Sequence, residues 1–64
     1  MKVIFISAIL NKQGEHEELA MRFFDALPAF TDQWVRLNNE LYKVHTVVVD
    51  LDLNATVVEL FKIT

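Results

Sequence analysis

Two runs of consecutive apolar residues constrain what this chain can fold into more than any other feature. Residues 3–6 read Val-Ile-Phe-Ile and residues 47–49 read Val-Val-Val. Alternate side chains of a β-strand point to opposite faces, so each run would place apolar side chains on both sides of a sheet. Strands of this kind are usually covered on both faces. We therefore expect a small sheet that either curls into a barrel or packs against a second molecule.

A helix is predicted over residues 14–27. Leu19, Phe23 and Leu27 recur every four residues and would form one apolar stripe along the helix. Three glutamates fall in the first turn, where negative charge favours the positive end of the helix dipole. Pro28 would end the helix, because proline disfavours helical geometry at the residue before it.

The residues after the helix are predicted to form consecutive strands. Asn38 and Asn39 tolerate the positive φ of a tight hairpin turn. The predicted elements are a strand at 2–9, the helix at 14–27, and strands at 33–37, 40–50 and 55–63. The expected fold class is α+β, a single β-α-β-β-β domain over residues 1–64. Its one helix packs on a strongly twisted antiparallel sheet or on a partly closed small barrel.

Composition excludes several classes of protein. The chain has 64 residues and a formal net charge of −3. It contains no cysteine, so disulfides and thiolate chemistry are impossible. Its six Lys and Arg residues are scattered singly, whereas nucleic-acid binders gather basic residues on one face. Direct binding of nucleic acid is therefore not expected.

The apolar stretch at residues 3–10 resembles the start of a secretory targeting segment. It is far shorter than the roughly 20 residues that span a bilayer as a helix. The polar residues 11–13 end it, and no cleavage site of the signal-peptide type follows. We expect a cytoplasmic protein that does not contact a membrane.

The C-terminal half resembles short proteins of phage and prophage origin. The resemblance rests on Leu27-Pro28, on residues 32–44 (Asp-Gln-Trp-Val-Arg-Leu-Asn-Asn-Glu-Leu-Tyr-Lys-Val) and on Asp50-Leu51-Asp52. It implies a small, twisted, partly closed SH3-like sheet and no assigned activity. The chain departs from that pattern by having asparagine in place of glycine in the hairpin turn and by the helix predicted before Leu27.

Two motifs resemble metal sites and are incomplete. His16-Glu17 begins like the zinc-protease motif H-E-x-x-H, but Ala20 stands where the second histidine is required. Residues 50–54 match the start of a calcium loop, but Ala55 replaces its glycine and Phe61 its bidentate glutamate. Asp and Asn side chains that form local hydrogen bonds with the backbone of a turn explain the same residues at 50–54. We predict no metal and no cofactor.

Catalysis is not expected either. Ser7 is the lone serine and lies within an apolar strand, without the base that an activated nucleophile needs. Asp50 and Asp52 could pair for acid–base chemistry, but a chain this short has little volume for a cleft around them. We predict no catalytic residue, no enzyme activity and no small-molecule substrate.

The aromatic residues supply the interface candidates. Trp34 and Tyr42 combine an apolar ring with a polar tip, as residues at protein interfaces often do. Both lie near the predicted hairpin turn, and Phe30 lies in the segment before it. The alternative, that they only cover the edge of the sheet, stays open.

We therefore expect a non-enzymatic protein that binds a protein partner or itself as a homodimer. The resemblance implies an origin in a phage or mobile element, and we expect an accessory or inhibitory protein of such an element. Two alternatives stay open, a small-barrel module associated with nucleic acid and a subunit of a larger assembly such as a virion.

Overall fold

The computed structural model describes residues 1–28 and 30–63, and within them the chain forms five β-strands and no helix. The strands are β1 (Lys2–Leu10), β2 (His16–Phe23), β3 (Trp34–Leu37), β4 (Glu40–Asp50) and β5 (Ala55–Lys62). They form one sheet in the order β2-β1-β5-β4-β3, curled into a half-barrel. The predicted α+β class is therefore wrong, whereas the expectation of a small, barrel-like β-sheet agrees with the structure.

The helix predicted at 14–27 is replaced by a hairpin loop and β2. In the loop, Asn11 Oδ1 accepts hydrogen bonds from the backbone N–H groups of Gln13 and Glu15, each at 3.0 Å. Gly14 has a φ of 76°, a left-handed conformation that no helix start contains. The chain turns back there and pairs antiparallel with β1.

The strand is favoured over the helix because it supplies hydrogen-bond partners to the backbone of β1. An isolated helix of this length is marginal in water, whereas β2 satisfies backbone groups of β1 that would otherwise lie at an open edge. A β-bulge at this point sets Leu19 and Ala20 opposite Phe5, so both pack against the core. Tertiary pairing therefore outweighs the helical spacing of the apolar residues.

A second correction concerns strand direction. The prediction was an antiparallel sheet, but β1 and β5 pair in parallel, with Ile4 opposite Val57 and Phe5 opposite Val58. The other three strand pairs are antiparallel, so the sheet is mixed. The long connection through residues 11–54 makes this possible, because parallel neighbours need a crossover of a dozen or more residues.

Two tight turns join β3 to β5. Asn38 and Asn39 have φ values of 50° and 69°, which is the conformation of a two-residue hairpin turn and agrees with the sequence prediction. Between β4 and β5, Asp50 Oδ1 accepts hydrogen bonds from the backbone N–H groups of Asp52 and Leu53, each at 3.1 Å. The carboxylate of Asp50 therefore stabilises a turn through local backbone hydrogen bonds, as the sequence suggested.

The core lies on the concave face of the curled sheet. Its buried members come from all strands except β2: Val3, Phe5, Leu37, Tyr42, Val44, Val58 and Leu60. Phe24, just after β2, packs edge-on against Phe5 with ring centroids 6.3 Å apart. Because one sheet folds over its own side chains, the core needs no helix to cover it.

Candidate interaction surfaces

The outer face of the sheet carries a row of apolar side chains that crosses four strands. Ile4 lies opposite Met21 on β2 and opposite Val57 on β5, and Val57 lies opposite Val48 on β4. Directly paired residues share a face, which places these four side chains side by side. We call Met21, Ile4, Val57 and Val48 the outer-face row.

The outer-face row is accessible to water. Met21 and Val48, at its ends, are 44% and 45% exposed, and Ile4 and Val57 between them are half-buried. Within the described residues, the sheet is a single layer and no second layer covers this face. The run at 3–6 therefore buries only one side, through Val3 and Phe5. In the run at 47–49, Val47 is half-buried and Val48 and Val49 are exposed.

Charges of opposite sign lie on the two sides of the row. Lys2 precedes Ile4 by two residues on β1, and Glu59 follows Val57 by two residues on β5. Since side chains two residues apart share a face, both charges are on the outer face. His16 Nε2 lies 3.7 Å from Glu59 Oε1, and its Nδ1 lies 2.8 Å from the Ser7 carbonyl oxygen.

A second surface is the cleft between the two sheet edges, with a volume of about 560 Å³. It is lined by Phe5, Arg22, Phe24, Pro28 and the six consecutive residues 33–38. Side chains of consecutive strand residues point to opposite faces, so residues 33–38 can all line one cleft only along the edge of β3. We therefore call it the edge cleft. Among the lining residues that the structure describes, the polar rim includes Arg22 and Arg36 and no acidic side chain.

The structure separates the three predicted interface residues. Trp34 is 59% exposed, and its pairing with Lys43 places it on the outer face, at the edge cleft. Tyr42 pairs with Val35 on the concave face and is only 8% exposed. The two rings share a hairpin but lie on opposite faces, so they do not form one surface. Phe30 is exposed in the loop before β3.

The environment of Tyr42 is that of a core residue. Its hydroxyl donates a 3.2 Å hydrogen bond to Glu40 Oε2. Burial raises the pKa of the hydroxyl above its ordinary value of 10.0, and the Glu40 hydrogen bond and charge raise it further, while Lys62 opposes them. Burial and Glu40 therefore favour the neutral, hydrogen-bonded hydroxyl of a packed side chain.

The metal-like motifs provide no ligand cluster in the part of the chain that is described. No group of three or more histidine, aspartate or glutamate side chains could hold an ion there. Likewise, residues 1–28 and 30–63 contain no helix long and apolar enough to cross a membrane.

Sequence reasoning missed most residues of these surfaces. Ile4 and Val48 were part of the two apolar runs, but their partners Met21 and Val57 emerge only from the pairing register. Arg36 could have been placed beside Trp34, because the two lie at i and i+2 of a predicted strand. Arg22 could not, since a helix was expected there.

Compared with protein-family models, curated proteins and solved structures, the chain has no match.

Proposed function

We propose that this protein is a non-enzymatic interaction protein that self-associates through its outer-face row. The observation that carries the proposal is the row itself, four adjacent apolar side chains that no other described layer covers. Contiguous apolar patches on monomeric proteins are small, and larger ones usually mark interaction sites.

The total surface area supports an uncovered face. A compact monomer of 7.4 kDa is expected to expose about 4,200 Å², whereas this chain exposes 4603 Å². The exposed Met21 and Val48 of the outer-face row contribute to this area. A second copy on the outer face would remove apolar area from water, which is the dominant favourable term in most association.

Charge placement makes a second copy the occupant that fits best. A two-fold axis along the row would stack the row on its own copy, since such an interface is self-complementary. The same axis would turn the Lys2 side of one copy toward the Glu59 side of the other. Unlike charges then meet diagonally across the interface and fix its register.

An accessory or inhibitory role in a phage or mobile element is a further part of this proposal. It rests on the resemblance of the C-terminal half, and the same resemblance is compatible with a subunit of a larger assembly. A cytoplasmic location fits this role.

Sedimentation equilibrium at micromolar concentration tests self-association. The expected mass is about 15 kDa, twice the 7.4 kDa chain. Val48→Lys, which places a charge in the row, should return the mass to that of one chain. Val49→Lys is the matched control, because Val49 is also exposed but pairs with Thr56 on the opposite face.

Each outcome is decisive. A wild-type chain that sediments as a monomer contradicts self-association and favours a different protein as the partner of the row. A dimer that persists in Val48→Lys, or that is lost equally in Val49→Lys, contradicts the assignment of the interface to the row.

A further inference from the structure

We propose that the edge cleft binds an acidic peptide in extended conformation, which adds as an antiparallel strand to the free edge of β3. This surface is separate from the outer-face row, and the inference does not depend on self-association. It follows from three features of the described residues: the backbone groups of β3 that face away from β4, the charge of the rim and the apolar floor of the cleft.

The backbone of β3 offers hydrogen bonds to a new strand. A two-residue turn makes Leu37 and Glu40 the hydrogen-bonded pair nearest the turn, and pairs alternate from there along an antiparallel ladder. Val35 therefore bonds to Tyr42, whereas Trp34 and Arg36 direct their N–H and C=O groups away from β4. A row of unpaired backbone groups at a sheet edge is a template for another strand.

The rim of the cleft is positively charged although the chain as a whole is negative. Arg22 and Arg36 both line it. Arg22 pairs with the buried Val3 and so lies on the concave side, whereas Arg36 lies on the outer side and is the arginine that faces carboxylates there. Among the described residues neither has a carboxylate within ion-pair distance. Arg22 Nη2 is held 3.4 Å from Asn38 Oδ1. Arginine bonds carboxylates well in a fixed geometry, so a carboxylate is the chemistry that the rim would recognise.

The floor and the rim together define the pattern of the peptide. Phe5, Phe24 and Leu37 form an apolar floor on the concave side, while Trp34 and Arg36 lie on the outer side. A strand added to β3 would alternate between these sides. A peptide with acidic residues opposite Trp34 and Arg36 and apolar residues between them would match both the outer side and the apolar floor. A nucleic acid cannot add a β-strand to β3, so a peptide is the favoured ligand.

The probe is the blocked hexapeptide Glu-Val-Glu-Val-Glu-Val, titrated into the isotope-labelled protein and followed by amide NMR. We expect the amide signals of Trp34 and Arg36 to shift, together with the fluorescence of the single tryptophan. The same peptide with lysine in place of glutamate should not bind.

Backbone methylation separates strand addition from simple charge attraction. Residues directly opposite Trp34 and Arg36 exchange hydrogen bonds with them, and these are the glutamates. A peptide N-methylated at its glutamates should lose binding, whereas one N-methylated at its valines should retain it. Equal effects of the two methylation patterns would overturn the proposal.

Two variants of the protein complete the test. Arg36→Gln should weaken peptide binding roughly two- to fivefold, the range for a charge pair at a solvent-exposed rim. Lys12→Gln removes the same charge in the β1–β2 loop and should have no effect. No shift at millimolar peptide, or stronger binding of an oligothymidine than of the peptide, would overturn the proposal. Peptide binding is detected by NMR and self-association by mass, so either can fail alone.

Discussion

The side chain of Asn38 joins the two edges of the half-barrel, donating a hydrogen bond from Nδ2 to the backbone carbonyl of Leu19 at 3.3 Å. Leu19 lies at the bulge of β2 and Asn38 in the β3–β4 turn, so the bond crosses from one edge strand to the other. Arg22 reaches the same asparagine from β2. The edges are therefore tied at this end and stay apart along the edge cleft.

Removing this tie should lower stability. Asn38→Gly keeps a residue that accepts the positive φ of the turn but deletes the hydrogen bond to Leu19. Asn39→Gly makes the same change one residue later, where no cross-edge bond is present in the described structure. We expect urea denaturation to show Asn38→Gly less stable than Asn39→Gly by about 0.5–1.5 kcal/mol. Equal free energies of unfolding for the two variants would show that the tie contributes nothing.

The hydroxyl of Tyr42 should make stability fall at high pH. Burial and Glu40 raise its pKa in the folded state above 10.0, so folding favours the neutral form. The stability from that form is fully present below the unfolded pKa, near 10, and is lost as pH rises through the folded pKa. The free energy of unfolding should fall less steeply over this range in Tyr42→Phe. Identical slopes in the two proteins would contradict this account of the hydroxyl.

A single core truncation should bring the protein close to unfolding. Leu60 is 1% exposed and lies in β5, between β1 and β4. Leu60→Ala should cost about 2–5 kcal/mol, against a total stability of about 3–10 kcal/mol for a 64-residue domain. Leu53→Ala, in the exposed β4–β5 turn, is the control and should change stability by less than about 0.5 kcal/mol. Comparable thermal midpoints for the two variants would contradict the placement of the core.

The hairpin of β3 and β4 was predictable because its signals are local. Two adjacent asparagines mark a turn by their own backbone preference, and the alternating residues on either side supply the strands. The faces were equally predictable from alternation. Trp34 and Tyr42 occupy opposite faces because Trp34 pairs with Lys43 and Tyr42 with Val35, a register that the turn fixes. This register keeps the two rings from forming one surface.

The position of β2 and the parallel pairing were not predictable from local signals. Leu19 and Phe23 have the spacing of a helical stripe, yet Phe23 is 71% exposed and Leu19 reaches the core through a bulge. The deciding contribution is the pairing of β2 with β1, which no single segment encodes. The outer-face row was hidden for the same reason, since its members come from four strands.

Gly14→Ala discriminates most directly between the hairpin and the helix that the sequence predicted. In a helix beginning at residue 14, alanine would stabilise the protein, because it has the higher helix propensity. In the hairpin, Gly14 has a φ of 76° and no atom within 4 Å of an added Cβ. The only penalty is then the left-handed backbone, and we expect Gly14→Ala to destabilise the fold by about 1 kcal/mol. Gly14→Asn, which tolerates this conformation better, should recover part of the loss. A gain in stability on Gly14→Ala, with an increase in helical circular dichroism, would contradict the β1–β2 hairpin.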